Sequence, residues 1–196
     1  MIRNTDGECS RRVHGRGPGS YGLIDADCVF AKLARPEGSV FLDLGCGPGD
    51  YSIHAARVVG PRGKVLAVDR SREMVAQLTE KALENGLPNI QALTWDITTP
   101  LPFGAESVDT CFLSTVLHSI RGDGQRRALL IEAHRVLVST GILAVLEIKR
   151  KPMPFGPPLQ QRIAEKELSS LAQQCGFRAS ESLNLDCFYL AVFRKK

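Results

Sequence analysis

The chain has 196 residues, of which 43% are hydrophobic and 23% are charged, and its net charge is +4. These values are typical of a globular domain with a full core, and the charge is too small to indicate nucleic-acid binding by itself. No apolar stretch approaches the roughly 20 residues of a membrane span, and the first residues lack the apolar core of a signal peptide. We therefore expect a cytoplasmic protein without a membrane span, and we do not expect nucleic acid as its partner.

The six cysteines form neither a C-x-x-C pair nor a His/Cys spacing typical of metal sites. In a reducing compartment we expect them to be free thiols, several of them buried in the core. The sequence therefore predicts no metal site.

The apolar patterns divide the chain into a short leading segment and a series of helices and strands. Residues 1–24 contain little to bury, so we expect a flexible segment that could act as a lid, followed by one domain over residues 25–196. In chain order, the predicted elements are a helix over 25–34, a strand over 39–44, a helix over 51–59, a strand over 64–69, a helix between Ser71 and Asn85, strands over 90–95 and 108–113, a helix over 123–138, a strand over 141–149, a helix over 161–175, and strands over 178–184 and 187–194.

Strands alternate with helices through most of this order, which is the pattern of a parallel sheet covered by helices on both faces. The last two strands are joined tightly at Leu185 and Asp186 and predict an antiparallel hairpin. The expected fold is therefore α/β, with a doubly wound, seven-stranded sheet that is mostly parallel and closes with a C-terminal antiparallel hairpin.

The most informative segment is the apolar strand over 40–44, which runs directly into a glycine-rich turn and then a helix. Gly45, Gly47 and Gly49 let the backbone turn sharply and approach a ligand without a Cβ in the way. This arrangement is typical of nucleotide binding. The spacing departs from the dinucleotide pattern G-x-G-x-x-G because Asp50 stands at the sixth position, and no Lys-Ser or Lys-Thr pair of a P-loop follows.

Asp43 lies within the end of the same strand, where a carboxylate would repel a pyrophosphate but would suit an ammonium or a sulfonium group. The run Leu-Asp-Leu-Gly-Cys-Gly-Pro-Gly strongly resembles motif I of the class I methyltransferases, which use S-adenosylmethionine. The resemblance covers residues 39–195. Within the family, the chain is most similar to the small methyltransferases of ubiquinone and menaquinone biosynthesis. It implies a Rossmann-like fold, S-adenosylmethionine as cofactor and S-adenosylhomocysteine as product.

The chain departs from that family in being short. No insertion is long enough for a substrate-capping domain, and only residues 1–25 and 150–162 could form a lid. A quinone-precursor substrate is therefore not established by the resemblance.

The carboxyl ends of parallel strands are where doubly wound sheets bind their ligands. Asp69 ends the second strand and can accept two hydrogen bonds from ribose hydroxyls, although it could instead cap the next helix. The resemblance implies that Asp96 contacts the adenine amino group and that Ile97 packs on the adenine ring. The alternative for Asp96 is an ordinary aspartate in a turn.

The resemblance also implies further cofactor contacts. The amides around Gly45 and Gly47 should face the cofactor, and Cys46 should contribute only its backbone. Arg70 and Leu113 are further predicted contacts.

Tyr21 precedes the first helix, where related enzymes fold a segment over the cofactor. It could stack on the methionine part or donate a hydrogen bond to it, or it could be a surface residue. Asp109 resembles the acidic residue that begins the fourth strand in this family, at the edge of the sheet opposite the ligand, and is expected to be structural.

His118 follows the fourth strand, in a segment that should run beside the sulfonium and the acceptor. It is the candidate general base, and the alternative is a polar residue that only shapes the pocket. Methyl transfer is an in-line displacement at an already activated carbon, so the absence of a catalytic triad does not count against an enzyme.

The acceptor is expected to be a small molecule with an oxygen, carbon or sulfur nucleophile. The strand-four segment reads Leu-Ser-Thr-Val and lacks the Asn-Pro-Pro-Tyr-like motif that would hold a planar nitrogen. Two other functions remain open. One is a non-catalytic methyltransferase-like binding subunit, and the other is a nicotinamide-dependent oxidoreductase, which Asp50 and the closing hairpin argue against. A homodimer is compatible with the sequence.

Overall fold

The computed structural model describes residues 19–33 and 35–196. Within this part of the chain, a central sheet has seven strands in the order β3-β2-β1-β4-β5-β7-β6. The strands are β1 (Val40–Leu44), β2 (Lys64–Asp69), β3 (Ile90–Thr94), β4 (Val108–Ser114), β5 (Leu137–Ile148), β6 (Phe177–Leu185) and β7 (Phe188–Lys195). Pairing is parallel from β3 to β5, and β7 is antiparallel to both of its neighbours. The predicted fold class, including the antiparallel C-terminal hairpin, is confirmed.

Five α-helices of the described chain cover the two faces of this sheet. They are α1 (Ala26–Leu33), α2 (Asp50–Val59), α3 (Arg72–Glu84), α4 (Asp123–Val136) and α5 (Glu165–Gln174). Alternate residues of β5 point to opposite faces, so Leu143 and Val145 pack with α4 and α5 while Ala144 and Leu146 pack with α1 and α2. Burial on both faces explains why this strand is almost wholly apolar.

The fifth strand begins earlier than predicted. The prediction placed a helix over 123–138 and a strand from 141, but α4 ends at Val136 and β5 starts at the next residue. The carbonyl groups of Arg135 and Val136 accept hydrogen bonds from the amides of Glu106 and Ser107. Because these carbonyls are used outside the helix, the chain turns directly into an extended conformation.

The last helix begins later than the predicted residue 161. Arg162 is 4% exposed, and its guanidinium donates to the carbonyls of Lys151, Phe155 and Pro157 at 2.6 to 2.8 Å. These bonds keep residues 149–162 in an irregular loop at the end of β5. α5 starts only at Glu165, after this loop is complete.

The cysteines differ from the expectation that all are free thiols. Cys28 is disulfide-bonded, whereas Cys46, Cys111, Cys175 and Cys187 are free.

The predicted lid lies mostly outside the described residues. Its last part is a short 3-10 helix over Tyr21–Leu23. Among the described residues, none of the helices is both long and apolar enough to cross a membrane.

Candidate active site

A cavity of about 490 Å³ opens at the carboxyl ends of β1, β2 and β4 and beside the segment that follows β3. The strand order reverses between β1 and β4, and this switch point is where doubly wound sheets bind ligands. The predicted residues that line the cavity are Tyr21, Asp43, Gly45, Cys46, Gly47, Asp69, Arg70, Asp96 and Ile97. The fold therefore brings most of the predicted cofactor contacts together, although their roles stay predictions.

The glycine-rich turn between β1 and α2 adopts the left-handed backbone that favours glycine. Gly45 and Gly49 have φ angles of 79° and 87°. A Cβ on Gly45 would lie 2.6 Å from a methyl group of Val116, on the wall of the cavity, and one on Gly49 would lie 2.3 Å from a methyl group of Leu78 in α3. Gly49 is not among the residues that line the cavity. It serves the close packing of α2 against α3.

The amides of this turn are engaged within the protein, contrary to the expectation that they face the cofactor. The amides of Gly45 and Cys46 donate to the carbonyl of Val68 at 2.8 and 3.0 Å, and the amide of Gly47 donates to Asp69 Oδ2 at 2.9 Å. The turn passes over the end of β2, whose last groups satisfy these donors. These three amides are therefore not available as donors to a ligand in the cavity.

Asp69 lines the cavity, and Ser71 rather than Asp69 provides the side-chain cap of the next helix. Asp69 Oδ1 accepts a hydrogen bond from the amide of Ser71 at 2.9 Å, while Ser71 itself caps α3 through the amide of Met74. Each carboxylate oxygen can accept two hydrogen bonds, so Asp69 retains acceptor capacity toward the cavity that it lines. This capacity is what the predicted contact with ribose hydroxyls requires.

Asp43 is the most unusual ionisable group of the cavity. It is 1% exposed, and among the described residues its carboxylate has one hydrogen bond, donated by Ser52 at 2.6 Å. Its pKa is raised to about 7, mainly by burial; the hydrogen bond from Ser52 opposes this rise, and the negative charge of Asp69 adds to it. A carboxylate in this position would be stabilised by a cation in the cavity.

Asp96 has the opposite electrostatic environment. Its Oδ1 accepts hydrogen bonds from the amide and hydroxyl of Thr98 at 2.9 and 2.8 Å. These bonds hold the pKa of Asp96 below its usual value, and Arg70 contributes to the same shift. Asp96 is exposed and ionised, and it can accept a hydrogen bond from a ligand amino group. Trp95, which the sequence analysis did not single out, lines the cavity beside it.

Three hydroxyl groups meet at the β4 side of the cavity. Ser20 Oγ lies 3.0 Å from Tyr51 Oη and 2.8 Å from Ser114 Oγ, and all three residues line the cavity. The neighbouring Tyr21 forms a hydrogen bond with His54 Nδ1 at 3.0 Å. Tyr21 was predicted as a cofactor contact, but none of the three residues of the hydroxyl cluster was. Ser114 could have been found as the residue at the end of β4, but the other two depend on contacts distant in sequence.

The segment after β4 forms the remaining wall of the cavity. Thr115 has a φ of 55°, which is rare for a β-branched residue and marks a sharp turn. Val116 and Ser119 line the cavity, whereas two predicted residues of this region do not. Leu113 is fully buried in the core, and His118 lies beside the cavity with its Nδ1 2.8 Å from Glu147 Oε2.

Cys46 lines the cavity but is not suited to nucleophilic chemistry. Its side chain is buried, and this burial, together with the charges of Asp43 and Asp69, raises the pKa of the thiol far above its usual value. The thiol is therefore protonated at neutral pH. This agrees with the prediction that Cys46 contributes only its backbone to the turn.

The methyltransferase domain family matches residues 41–141, which is more than half of the chain and includes β1 to β4 with the glycine-rich turn. The chain therefore belongs to the class I S-adenosylmethionine-dependent methyltransferases, and the predicted resemblance is confirmed.

Individual relatives agree with this membership. A structure of an S-adenosylmethionine-dependent methyltransferase from Aquifex aeolicus is 26% identical, with a TM-score of 0.83 over 92% of this chain and 94% of that chain. Demethylmenaquinone methyltransferase from Geobacillus stearothermophilus is 32% identical over 65% of this chain and 53% of its own length. A 23S rRNA (uracil-C5)-methyltransferase from Acinetobacter baylyi is 41% identical over 39% of this chain and 16% of its own length. The chain thus spans about half or less of the length of these two curated relatives.

S-adenosylmethionine is the cofactor of this family, and the residues of the cavity fit it. The volume of about 490 Å³ lies within the range of roughly 300 to 1,000 Å³ of ligand pockets. The cofactor carries an ammonium and a sulfonium group, and the buried carboxylate of Asp43 faces the cavity with a single hydrogen bond among the described residues. A cationic ligand would supply the positive counter-charge for this carboxylate.

Proposed function

We propose that the chain transfers a methyl group from S-adenosylmethionine to a small-molecule acceptor. The observation that carries this proposal is a row of three aspartates that line the cavity, with Asp43 and Asp69 at the carboxyl ends of β1 and β2 and Asp96 just after β3. Their environments differ, since Asp43 is buried and Asp96 is exposed. A ligand with a cationic end, a diol and an aromatic amine would complement this row.

In this proposal, each of these residues binds a different part of the cofactor. Asp43 pairs with the cationic methionine part, Asp69 accepts hydrogen bonds from the ribose hydroxyls, and Asp96 accepts one from the adenine amino group while Ile97 packs on the ring. When bound, the cofactor supplies a methyl group that is already activated for in-line displacement. The protein then needs to align the acceptor and exclude water.

Two features support a small acceptor. The hydroxyl cluster formed by Ser20, Tyr51 and Ser114 lies on the β4 side of the cavity, away from Asp69 and Asp96, and offers donors and acceptors to a compact polar group. The Geobacillus relative is a demethylmenaquinone methyltransferase, which makes a quinol carbon one candidate. The rRNA relative matches over a shorter stretch and makes RNA the competing acceptor.

The first test is calorimetric titration of the protein with S-adenosylmethionine, S-adenosylhomocysteine and NADH. We expect micromolar binding of the first two and none of NADH. Asp69→Ala should lose this binding, whereas Asp109→Ala, a matched aspartate at the opposite end of the sheet, should retain it. Binding of NADH alone, or of none of the three by a folded protein, would overturn the proposed function.

The second test is transfer of a labelled methyl group to a panel of probes. The panel contains reduced demethylmenaquinone as a carbon acceptor, catechol as an oxygen acceptor, thiophenol as a sulfur acceptor and a 23S rRNA fragment. Transfer to one of the first three supports a small-molecule acceptor. Transfer to the rRNA fragment alone would contradict it, and cofactor binding without transfer to any probe would favour the non-catalytic binding subunit.

A further inference from the structure

The partly exposed His118 and the buried Glu147 form a pair beside Val116 and Ser119, which line the cavity, although neither member of the pair lines it. His118 lies in the short 3-10 helix Leu117–Ser119 that follows β4, and Glu147 lies near the end of β5. Glu147 Oε2 is 2.8 Å from His118 Nδ1, and Oε1 accepts a hydrogen bond from the amide of the same histidine at 3.3 Å. Both carboxylate oxygens are thus directed at one residue.

Burying the carboxylate of Glu147 is energetically unfavourable, and holding the loop that carries His118 does not require a charge. Glu147 is 0% exposed, and an ionised carboxylate loses several kcal/mol of hydration on such burial. The amide of His118 could be satisfied by a neutral glutamine at the same position. The charge has a stronger reason to be present if the imidazole becomes positive at some stage, because the carboxylate would then stabilise the imidazolium.

The pair also fixes which nitrogen of the ring is available. With Nδ1 donating to the carboxylate, the lone pair of the neutral ring resides on Nε2. Nε2 has no hydrogen-bond partner among the described residues, and the side chain of His118 retains 16% of its surface exposed. The ring is therefore held at one nitrogen and open at the other, which is the arrangement of an oriented general base.

The position of the pair suits the acceptor rather than the cofactor. The proposed cofactor contacts lie at the ends of β1, β2 and β3, while His118 and Glu147 belong to the β4 and β5 side of the sheet. Val116 and Ser119, on either side of His118 in the chain, line the cavity. An acceptor that approaches the methyl group from this side would meet the loop that carries His118.

We propose that Glu147 is a positioning residue that holds His118 with Nε2 directed at the acceptor, so that His118 removes the acceptor's proton during methyl transfer. This inference rests on the proposed function. The nucleophilic atom of the acceptor forms a bond to the methyl carbon as the carbon–sulfur bond breaks, and that electron pair stays on sulfur. The acceptor's proton passes to Nε2, and the imidazolium is stabilised by Glu147 until water removes the proton.

Other ionisable groups surround the pair on each element that packs against it. Arg126 of α4 donates to the carbonyls of Leu117 and Ile120, at either end of the loop. Tyr189 of β7 lies near Glu147, and burial together with that charge raises its pKa, so it remains neutral. The negative charges of Glu165 and Glu167 of α5 also raise the pKa of Tyr189. Among the described residues, Glu147 is the only one of these groups that forms a hydrogen bond or ion pair with the imidazole ring.

The test compares His118→Gln and Glu147→Gln with the control Glu181→Gln. Glu181 lies on β6, and its exposed carboxylate is paired with Lys32 of α1. The assay uses whichever probe acceptor the wild-type protein methylates. We expect His118→Gln to lower kcat by about 10² to 10⁴-fold, the usual contribution of a general base. Glu147→Gln should lower kcat less and move the acid limb of the rate profile to lower pH, because the imidazolium loses its counter-charge.

Binding and spectroscopy separate this role from a structural one. Affinity for S-adenosylhomocysteine should change by less than about twofold in both variants. In ¹⁵N spectra of the histidine rings, the proton of His118 should reside on Nδ1 in the wild type and become shared between the two nitrogens in Glu147→Gln. Glu147→Asp is the second variant if Glu147→Gln does not fold, because its side chain is one methylene shorter and withdraws the carboxylate from His118 Nδ1.

Unchanged kcat and an unchanged pH profile in a folded Glu147 variant would overturn the inference. If the wild type binds S-adenosylhomocysteine but methylates no probe, the proposed function fails separately, and the ¹⁵N spectra decide the remaining question. A ring proton that stays on Nδ1 without the carboxylate would then show that Glu147 does not orient His118.

Discussion

Two aspartates at opposite ends of the central sheet show how the same side chain serves different purposes. At the amino end, Asp109 of β4 accepts a hydrogen bond from the amide of Val40 at 2.8 Å and joins β4 to the start of β1. At the carboxyl end, Asp43 of β1 is buried with a single hydrogen bond, from Ser52, among the described residues. The first carboxylate stabilises the fold, and the second lines the cavity in which we propose that the cofactor binds.

The difference teaches that burial of a carboxylate is not by itself a sign of structural importance. Asp109 is paired with a backbone group that any fold of this kind must satisfy. Asp43 raises the free energy of the folded protein, because its charge is desolvated and the charge of Asp69, which acts on it, is of the same sign. A site is indicated where the fold tolerates such a group beside a cavity.

The largest effect is expected from Asp43→Asn. Loss of the charge should weaken binding of S-adenosylhomocysteine at pH 8 by about 100-fold or more, since removing one partner of a buried pair is strongly unfavourable. The unliganded protein should become more stable by about 2 to 4 kcal/mol at the same pH, because a desolvated charge is removed. Calorimetry and urea unfolding measure the two quantities.

Asp109→Asn is the matched control for this prediction. It should leave cofactor affinity within about twofold and lower the free energy of unfolding by about 1 kcal/mol, the usual net value of a hydrogen bond. If Asp43→Asn destabilised the protein as Asp109→Asn does, the contrast between the two ends of the sheet would be wrong.

Gly49→Ala should produce the largest loss of stability among changes to the glycine-rich turn. The added Cβ would lie 2.3 Å from Leu78, and the residue would keep a φ of 87°. Overpacking of this kind typically costs about 1 to 3 kcal/mol, measured by urea unfolding. The double variant with Leu78→Ala should not restore full stability, because the backbone strain remains. Full recovery would show that only the contact with α3 matters.

The pH dependence of binding and of stability should have opposite signs. The pKa of Asp43 is raised to about 7 in the folded protein, so between about pH 4 and 7 the folded state binds more protons than the unfolded state. Stability of the unliganded protein should therefore fall as pH rises through this window. Binding of a cationic ligand needs the ionised form and should weaken by up to about tenfold per pH unit below 7.

Titrations from pH 5 to 9 provide the measurement, and Asp43→Asn provides the control because it lacks the ionisation. Ser52→Ala should move the acid limb of binding to higher pH, since the hydrogen bond from Ser52 opposes the rise in the pKa of Asp43. An acid limb that persists in Asp43→Asn would assign the ionisation to another group.

The smallest effect is expected from Tyr21→Phe at the edge of the cavity. The change removes the hydrogen bond with His54 but keeps the aromatic contact with Tyr51. Affinity for S-adenosylhomocysteine should fall by less than about fivefold, in line with the loss of one partly exposed hydrogen bond. A loss as large as that of Asp43→Asn would indicate that Tyr21 contacts the cofactor directly.

The sequence predicted the side of the cavity where ligand contacts follow strand ends. Asp69 and Asp96 were identified because a parallel sheet places all its carboxyl ends together. The charge of Asp43 beside the glycine-rich turn and the family resemblance supplied the rest of this prediction. The failure at the amides of Gly45 and Gly47 has a local cause. Their partners are groups at the end of β2, and a motif describes one segment without its neighbour.

The β4 and β5 side was predicted less well, because its contacts join distant segments. Ser20 meets Ser114 across 94 positions of the chain, and nothing in either neighbourhood indicates the other. Glu147 lies within the most apolar strand, where periodicity predicts only core. Its significance depends on His118, which the sequence identified from its position after β4 without the partner that orients it.

Three of the free thiols differ in burial, so their reactivity can be used to follow local and global opening of the protein. Cys187 is partly exposed, Cys46 is buried in the wall of the cavity, and Cys111 is fully buried between β4 and α4. We therefore expect an alkylating reagent to react first with Cys187, then with Cys46, and last with Cys111, whose exposure requires the largest opening of the fold. A bound cofactor should slow the reaction at Cys46, so the rate of labelling at Cys46 measures the fraction of the protein that has cofactor bound.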